Sequence, residues 1–201
     1  MNDQKAIWRN LVSGPHSEQV LDQVMWQVVS GLSEMTGQAI SNDTPRVEKI
    51  PIAQVPARAG HPEAEMVGVY LVIGGGLCGQ AILILSVSSA LNLVDLLMGE
   101  QPGTSTELGE MERSALAEIG NMTLSYFLNA TAILANAPEL LQPSPPAVMV
   151  DMLGAILDVV VTPVGAVRDD MLIVDTGFGD AAGNVQGHFW VLPDPAIRDL
   201  G

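Results

Sequence analysis

The same order of predicted elements occurs twice along the chain. Each half begins with an amphipathic helix, continues with three predicted strands and ends with a second helix. The segment "GLCGQAILIL" (76–85) aligns with "NVQGHFWVLP" (184–193), which places Gly79 on Gly187 at an offset of 108 residues. Because the order of elements and the position of this glycine agree, we interpret the sequence as an internal duplication, with the halves related by a pseudo-two-fold axis.

This interpretation divides a single expected domain, 1–201, into halves of about 17–99 and 104–201, after a lead-in at 1–16 with a turn of helix near 6–12. Apolar runs predict the strands "RVEKIPIAQV", "EMVGVYLVI", "QAILILSV", "GAILDVVVTPVGAV", "DMLIVDTGF" and "NVQGHFWVLPD". The predicted fold class is α+β, with an antiparallel sheet and the helices packed on one side.

Capping signals set the expected helix boundaries. Serine at its start and glycine at its end mark "SSALNLVDLLMG" (88–99) as a helix. Thr104-x-x-Glu107 offers a capping box, so a long helix is expected to start there and to run to about Asn136. The prolines of "PSPP" (143–146) cannot continue that helix, and "PAIRDL" predicts a final one.

The charge of the chain limits its partners. Its 23 Asp and Glu residues against 8 Lys and Arg give a formal net charge of −15, which disfavours nucleic acid and anionic membrane surfaces and favours a partner with a basic face. The apolar runs are too short to span a bilayer, and the N-terminus lacks the pattern of a signal peptide. With a single cysteine, Cys78, and hence no internal disulfide, the sequence predicts a soluble, cytoplasmic protein.

Polar side chains recur at helical spacing along the long predicted helix. At about 100° per residue, five of them fall within an arc of about 80°; this polar stripe consists of Ser114, Glu118, Asn121, Ser125 and Asn129. A helix face that merely contacts water usually carries Lys, Glu and Arg, which are better helix formers than Ser and Asn. A plain solvated face is the first expectation for such a stripe, but the use of Ser and Asn, and of Gly120 in the same helix, indicates a contact surface selected for shape and hydrogen bonding.

The motif Ser114-x-x-x-Glu118-x-x-Asn121 resembles the D/S-x3-E-x2-N signature of the CheC/CheX/FliY chemotaxis phosphatases. The resemblance extends over nearly the whole chain, and its further segments are "LNA" (128–130), "PSPPAVMVDMLGAIL" (143–157), "FWVLPDP" (189–195) and "SSALNLVDLLMG" (88–99). These flanks, in the same order as in the family, make the short signature specific.

The resemblance implies a hydrolase that acts on the aspartyl phosphate of a CheY-like response regulator. In this family the asparagine orients the attacking water and the glutamate pairs with a lysine of the regulator, and these roles would fall to Asn121 and Glu118. Such roles suit the residue types, because a neutral carboxamide both donates and accepts hydrogen bonds beside a phosphoryl group. Ser114 would support the contact face. No cofactor of the chain's own is expected, and Mg²⁺ would belong to the regulator.

The first half carries no intact copy of the motif. An offset of 99, which also aligns "GLSEMTG" with "ATAILAN", pairs the three motif positions with Pro15, Gln19 and Asp22. An ionised Asp22 would repel a phosphoryl group and Gln19 could not pair with a lysine, so one site per chain is expected. The alternative function is a non-catalytic adaptor that binds a CheD-like deamidase or a flagellar switch component.

Other candidate motifs favour structural roles. "GGGLCG" (74–79) fits G-x-G-x-x-G but precedes a predicted strand, so we expect a hairpin turn rather than a dinucleotide site. Asp169 and Asp170 indicate a turn, and Cys78, placed in a strand, is expected to be a small core residue. The histidines have no metal-ligand spacing; they are His16, His61 and His188.

Overall fold

An antiparallel sheet of eight strands forms the centre of the structure, a computed structural model that describes residues 2–134 and 141–197. Along the chain the elements are α1 (Asn2–Val12), α2 (Ser17–Thr36), β1 (Ile40–Asn42), β2 (Arg46–Pro51), β3 (Glu65–Gly75), β4 (Gly79–Ser86), α3 (Val87–Leu97), α4 (Glu110–Leu134), β5 (Leu141–Pro143), β6 (Ala147–Met152), α5 (Leu153–Gly165), β7 (Asp170–Asp180) and β8 (Gln186–Pro193). A 3-10 turn, Ile52–Ala57, follows β2 and replaces the second part of the strand predicted for "RVEKIPIAQV". Within the described residues no helix is long and apolar enough to cross a bilayer.

The two halves of the chain exchange their short strands. The sheet order is β1-β7-β8-β4-β3-β5, with β2 also paired to β7 and β6 to β3. Strands β1 and β2 therefore complete the hairpin of the second half, while β5 and β6 complete that of the first. In the middle of the sheet β4 pairs with β8, and Ile82 lies opposite Trp190. These two residues are also aligned with each other when the halves of the sequence are superimposed at an offset of 108. The order of elements from α2 to β4 thus recurs from α4 to β8, and the duplication of the sequence stays a prediction.

The sheet is buried on both faces. Along β4, Ala81, Leu83 and Leu85 join a core cluster with α1, α2, α3 and α4, whereas Ile82 and Ile84 join a second cluster with α5 and the 3-10 turn. The predicted α+β class and antiparallel sheet are confirmed. Helices α1 to α4 lie on one side of the sheet, as predicted. Helix α5 covers the opposite face, so the prediction that all helices lie on one side is wrong.

The segment "GAILDVVVTPVGAV", predicted as a strand, is the helix α5. Its run of valines favours a strand by propensity. Its apolar side chains nevertheless recur at spacings of three and four residues, and those that the helix buries are Leu153, Ile156, Leu157, Val160 and Val164. Packing of this apolar face against the sheet overrides the local propensity.

The long helix α4 begins at Glu110. The prediction that a capping box at Thr104 and Glu107 starts this helix is therefore wrong. The buried carboxylate of Asp95, in α3, accepts hydrogen bonds from the backbone N–H groups of Gly103, Thr104 and Ser105, each at 2.9 Å. These bonds hold the connection in a turn that cannot start a helix. The predicted end of α4 near Asn136 lies outside the described residues.

The N-terminal lead-in is more ordered than the sequence predicts. Helix α1 spans Asn2–Val12, and the fully buried Trp8 donates from Nε1 to the carbonyl oxygen of Leu77 at 2.6 Å. The indole thereby anchors α1 on the β3–β4 turn. At the other end of the chain, the first residues of "PAIRDL" form a turn, and the remainder of this predicted helix lies beyond the described residues.

Replacement of Asp95 by Asn is expected to lower the free energy of unfolding by about 1–3 kcal/mol at neutral pH, because a carboxamide cannot satisfy three N–H donors. Burial alone raises the pKa of Asp95, but the hydrogen bonds from Ser105, Thr104 and Gly103 outweigh it and lower the pKa below its usual value. The contribution is therefore complete above the unfolded pKa of about 3.9 and is lost as pH falls through the folded value.

Urea unfolding of the wild type and of Asp95→Asn between pH 7 and pH 3 checks this prediction. The gap between the two should be constant down to about pH 5 and should narrow below about pH 4. A gap that stays the same at all pH values would contradict the role of the ionised carboxylate.

Candidate functional site

Two glycine contacts set the position of α4 on the sheet and beside α2. A methyl group at Gly120 would overlap the side chain of Val69 in β3, and one at Gly31 in α2 would overlap the ring of Tyr126 in α4. Only glycine allows so close an approach at these points. Gly120 is thus a packing residue on the buried side of α4, and the interpretation that linked it to the contact surface is wrong.

The polar stripe lies on the outward side of α4, as the spacing of its residues predicts. Ser114, Glu118 and Asn129 are exposed, and Asn121 and Ser125 are half-buried. The opposite side of the helix is buried in the first core cluster, through Leu116, Ile119, Leu124, Phe127 and Leu128. The structure therefore brings Ser114, Glu118 and Asn121 together on one accessible surface.

The functional ends of Glu118 and Asn121 are free to meet a ligand. Among residues 2–134 and 141–197, neither side chain forms a hydrogen bond or an ion pair, and neither does that of Ser114. Ser125 instead donates its hydroxyl to the backbone oxygen of Asn121 at 2.8 Å. The two side chains originate about 4.5 Å apart along the helix axis. A carboxylate without an internal cation, beside a carboxamide, can bind an external cation and orient a water molecule.

The residues matched to the motif in the first half lie on a different helix. Pro15 precedes α2, which begins at Ser17, so the expected start of this helix near or after Pro15 is confirmed. Gln19 and Asp22 are exposed on α2, in the same stretch as Trp26, which is 59% exposed. The chemical inactivity of this helix stays a prediction.

The glycine-rich segment "GGGLCG" forms the turn between β3 and β4, as predicted. Gly75 and Cys78 both have positive φ angles, of 76° and 37°. A side chain at Gly79 would overlap the backbone of Leu192 and crowd Trp8. No helix begins here, so the segment lacks the geometry of a phosphate loop. Cys78 lies in this turn, half-buried, rather than within a strand.

A polar network on the second face of the sheet was not predicted from the sequence. The buried Asp175 lies 2.8 Å from Nδ1 of His188 and 3.7 Å from the guanidinium of Arg58, which Glu48 binds at 2.6 Å. No sequence spacing marks these residues, because they come from β2, the residue after the 3-10 turn, β7 and β8. Among the described residues no group of His, Cys, Asp or Glu could hold a metal ion. Asp169 and Asp170 lie where α5 turns into β7, as expected.

Comparison with known proteins shows which proteins the chain resembles. Over 169 residues the chain is 26% identical to the CheY-P phosphatase CheC of Bacillus subtilis (strain 168), an alignment that covers 82% of this chain and 80% of CheC. The structure matches Thermotoga maritima FliY with a TM-score of 0.71 at 21% identity, covering 91% of this chain and 90% of FliY. The chain resembles the CheC, CheX and FliY proteins in sequence and in fold. No family model matches the sequence.

Two further structures share the fold of this CheC-like chain. The CheX of the CheX–CheY–BeF3–Mg complex from Borrelia burgdorferi matches with a TM-score of 0.59 at 15% identity, covering 86% of this chain and 96% of that one. The CheX of Desulfovibrio desulfuricans matches with a TM-score of 0.57 at 14% identity, covering 87% and 99%. The CheC-like fold thus recurs at very low sequence identity.

The contact between Gly120 and Val69 can be tested by overpacking. Gly120→Ala should lower the free energy of unfolding by about 1–2 kcal/mol, because steric overlap with Val69 outweighs the higher helix propensity of alanine. The double variant Gly120→Ala/Val69→Ala should be more stable than the sum of the two single losses predicts, since shortening Val69 makes room for the methyl group. Urea unfolding provides the measurement. Strictly additive losses would contradict a direct contact.

Proposed function

We propose that this CheC-like chain hydrolyses the aspartyl phosphate of a CheY-like response regulator. The observation that carries the proposal is the accessible pair Glu118 and Asn121, whose side chains have no partner among the described residues, on the outward face of α4. The relationship to a CheY-P phosphatase and the fold shared with a CheX bound to CheY support a CheY-like partner.

In the proposed reaction a water oxygen bonds to phosphorus while the bond from phosphorus to the aspartate oxygen breaks. The regulator recovers its carboxylate, and both water hydrogens leave with dihydrogen phosphate, which then loses a proton to solvent. Asn121 would accept a hydrogen bond from the attacking water and hold it in line, without adding negative charge near the phosphoryl group. Positioning of this kind, in a preorganised site, lowers the barrier.

Glu118 would bind a lysine at the active site of the regulator. A carboxylate beside a phosphoryl group is repulsive unless a cation lies between them, and no described cation of this chain pairs with Glu118. Ser114, one turn earlier, is small and exposed, and so would let the regulator approach the helix. The chain needs no cofactor of its own in this scheme, because Mg²⁺ would be held by the regulator.

The alternative function is an adaptor that binds a partner without hydrolysis, such as a CheD-like protein or a flagellar switch component. One observation favours a second protein contact: the 59% exposed Trp26 lies on α2 rather than on α4. Exposed tryptophans are enriched at protein interfaces. The free Glu118–Asn121 pair favours the phosphatase, with one site per chain on α4.

Asn121→Ala should reduce the stimulated dephosphorylation about a hundredfold while the protein stays folded, because one preorganised polar group acting in the transition state is lost. Asn129→Ala is the matched control: it makes the same change on the same stripe, about 12 Å further along α4, and should leave activity unchanged. Decay of the ³²P-labelled regulator gives the rates. Near-normal activity in folded Asn121→Ala would exclude the proposed role.

Glu118→Lys should weaken association with the regulator more than Glu118→Ala does, since it places two cations together. Asp158→Lys makes an equal change in net charge on α5, at the opposite face of the sheet, and controls for general electrostatics. The KM for the phosphorylated regulator should rise strongly at low ionic strength for the Glu118 variant only. Equal effects of the two lysine substitutions would rule out a specific ion pair.

A further inference from the structure

We propose that Met111 is an apolar anchor for the response regulator and determines how tightly the regulator docks on α4. The proposal rests on the proposed function and adds a specificity-determining residue to the same site. It requires that Met111 be accessible, in phase with the Glu118–Asn121 pair and unnecessary for the fold.

Met111 lies on the same face of α4 as the proposed catalytic pair. Met111 lies seven positions before Glu118, so the two side chains project within about 20° of each other around the helix. Their backbone positions are about 10 Å apart along the axis. A partner that reaches Glu118 and Asn121 therefore also passes over Met111.

The side chain of Met111 is not used by the core. It is 63% exposed and belongs to neither of the two core clusters. The neighbouring exposed positions in the first turns of α4 are polar: Glu110, Arg113 and Ser114. Glutamate would serve there for helix propensity and solubility. A large exposed apolar residue among these polar positions has no structural function that the fold explains.

The residues between Met111 and Glu118 leave a notch on the helix surface. Ser114 and Ala115, which lie three and four residues after Met111, have small side chains, and Ser114 is exposed. An apolar side chain thus stands at one end of the notch and a carboxylate with a carboxamide at the other. This arrangement fits a partner surface that has an apolar patch beside its lysine. The flexible thioether of methionine can adapt to such a patch.

The test measures both binding and turnover with the cognate CheY-like regulator, activated with beryllofluoride and Mg²⁺ for binding and phosphorylated for turnover. Met111→Ala should raise the Kd and the KM about tenfold and leave kcat at saturating regulator within about twofold, because it removes ground-state contact only. Met111→Leu should restore near-normal binding. Ile133→Ala, which truncates a 78% exposed side chain about 22 Å beyond Glu118, is the control and should have no effect.

The possible outcomes separate this proposal from the proposed function. If the wild type binds the activated regulator without accelerating its decay, the phosphatase function fails, and the Kd values of the variants still decide the role of Met111. A Kd for Met111→Ala within about twofold of wild type overturns the anchor, and so does an equal loss in Ile133→Ala. The variant Trp26→Ala is measured in the same way. If it loses affinity for the regulator and Met111→Ala does not, the apolar contact lies on α2 and the role proposed for Met111 is overturned. Absence of any binding by the wild type would reject both proposals.

Discussion

The close approach of α4 to the sheet at Gly120 determines which side of this helix remains accessible. Because the backbone of α4 lies directly against Val69, the apolar side of the helix is buried and its rotation about its own axis is fixed. The contact of Gly31 with Tyr126 fixes α4 relative to α2. Ser114, Glu118 and Asn121 are then presented outward on a rigid element, which is what the proposed catalytic role of Glu118 and Asn121 requires.

The exchange of short strands makes this platform depend on both halves of the chain. Strand β3, on which α4 packs, is paired with β4 from its own half and with β5 and β6 from the other. The side of the sheet away from α4 is sealed by α5 and the 3-10 turn, so the sheet is a filled core layer with helices on both faces. Residues far apart in sequence therefore cooperate in holding a site that spans about two helical turns.

Helical periodicity predicted the outward placement of Ser114, Glu118 and Asn121, since these residues are three and four positions apart and share one helix face. Contacts between distant residues could not be predicted in this way. Trp8 donates to Leu77, 69 positions later, and Asp95 holds a turn that the sequence presents as a capping box. The valine-rich α5 was mistaken for a strand because its partner surface, rather than its propensity, determines its conformation.

The helices and strands follow largely from the periodicity of apolar residues along the sequence. The role of Gly120 does not follow from that periodicity. Its role depends on how near α4 comes to Val69, a distance that no local pattern contains. The polar network around Asp175 is a second example, since its members come from four separate elements. Both features were visible only once the packing of the sheet was known.

The rate of dephosphorylation of the cognate CheY-like regulator, measured with and without this protein in substoichiometric amounts, tests the central claim most directly. A Glu118–Asn121 pair that positions water should accelerate the decay at least about tenfold over the regulator alone, and should do so over many turnovers. A decay rate that the protein leaves unchanged, even at concentrations where it binds the regulator, would contradict a catalytic function.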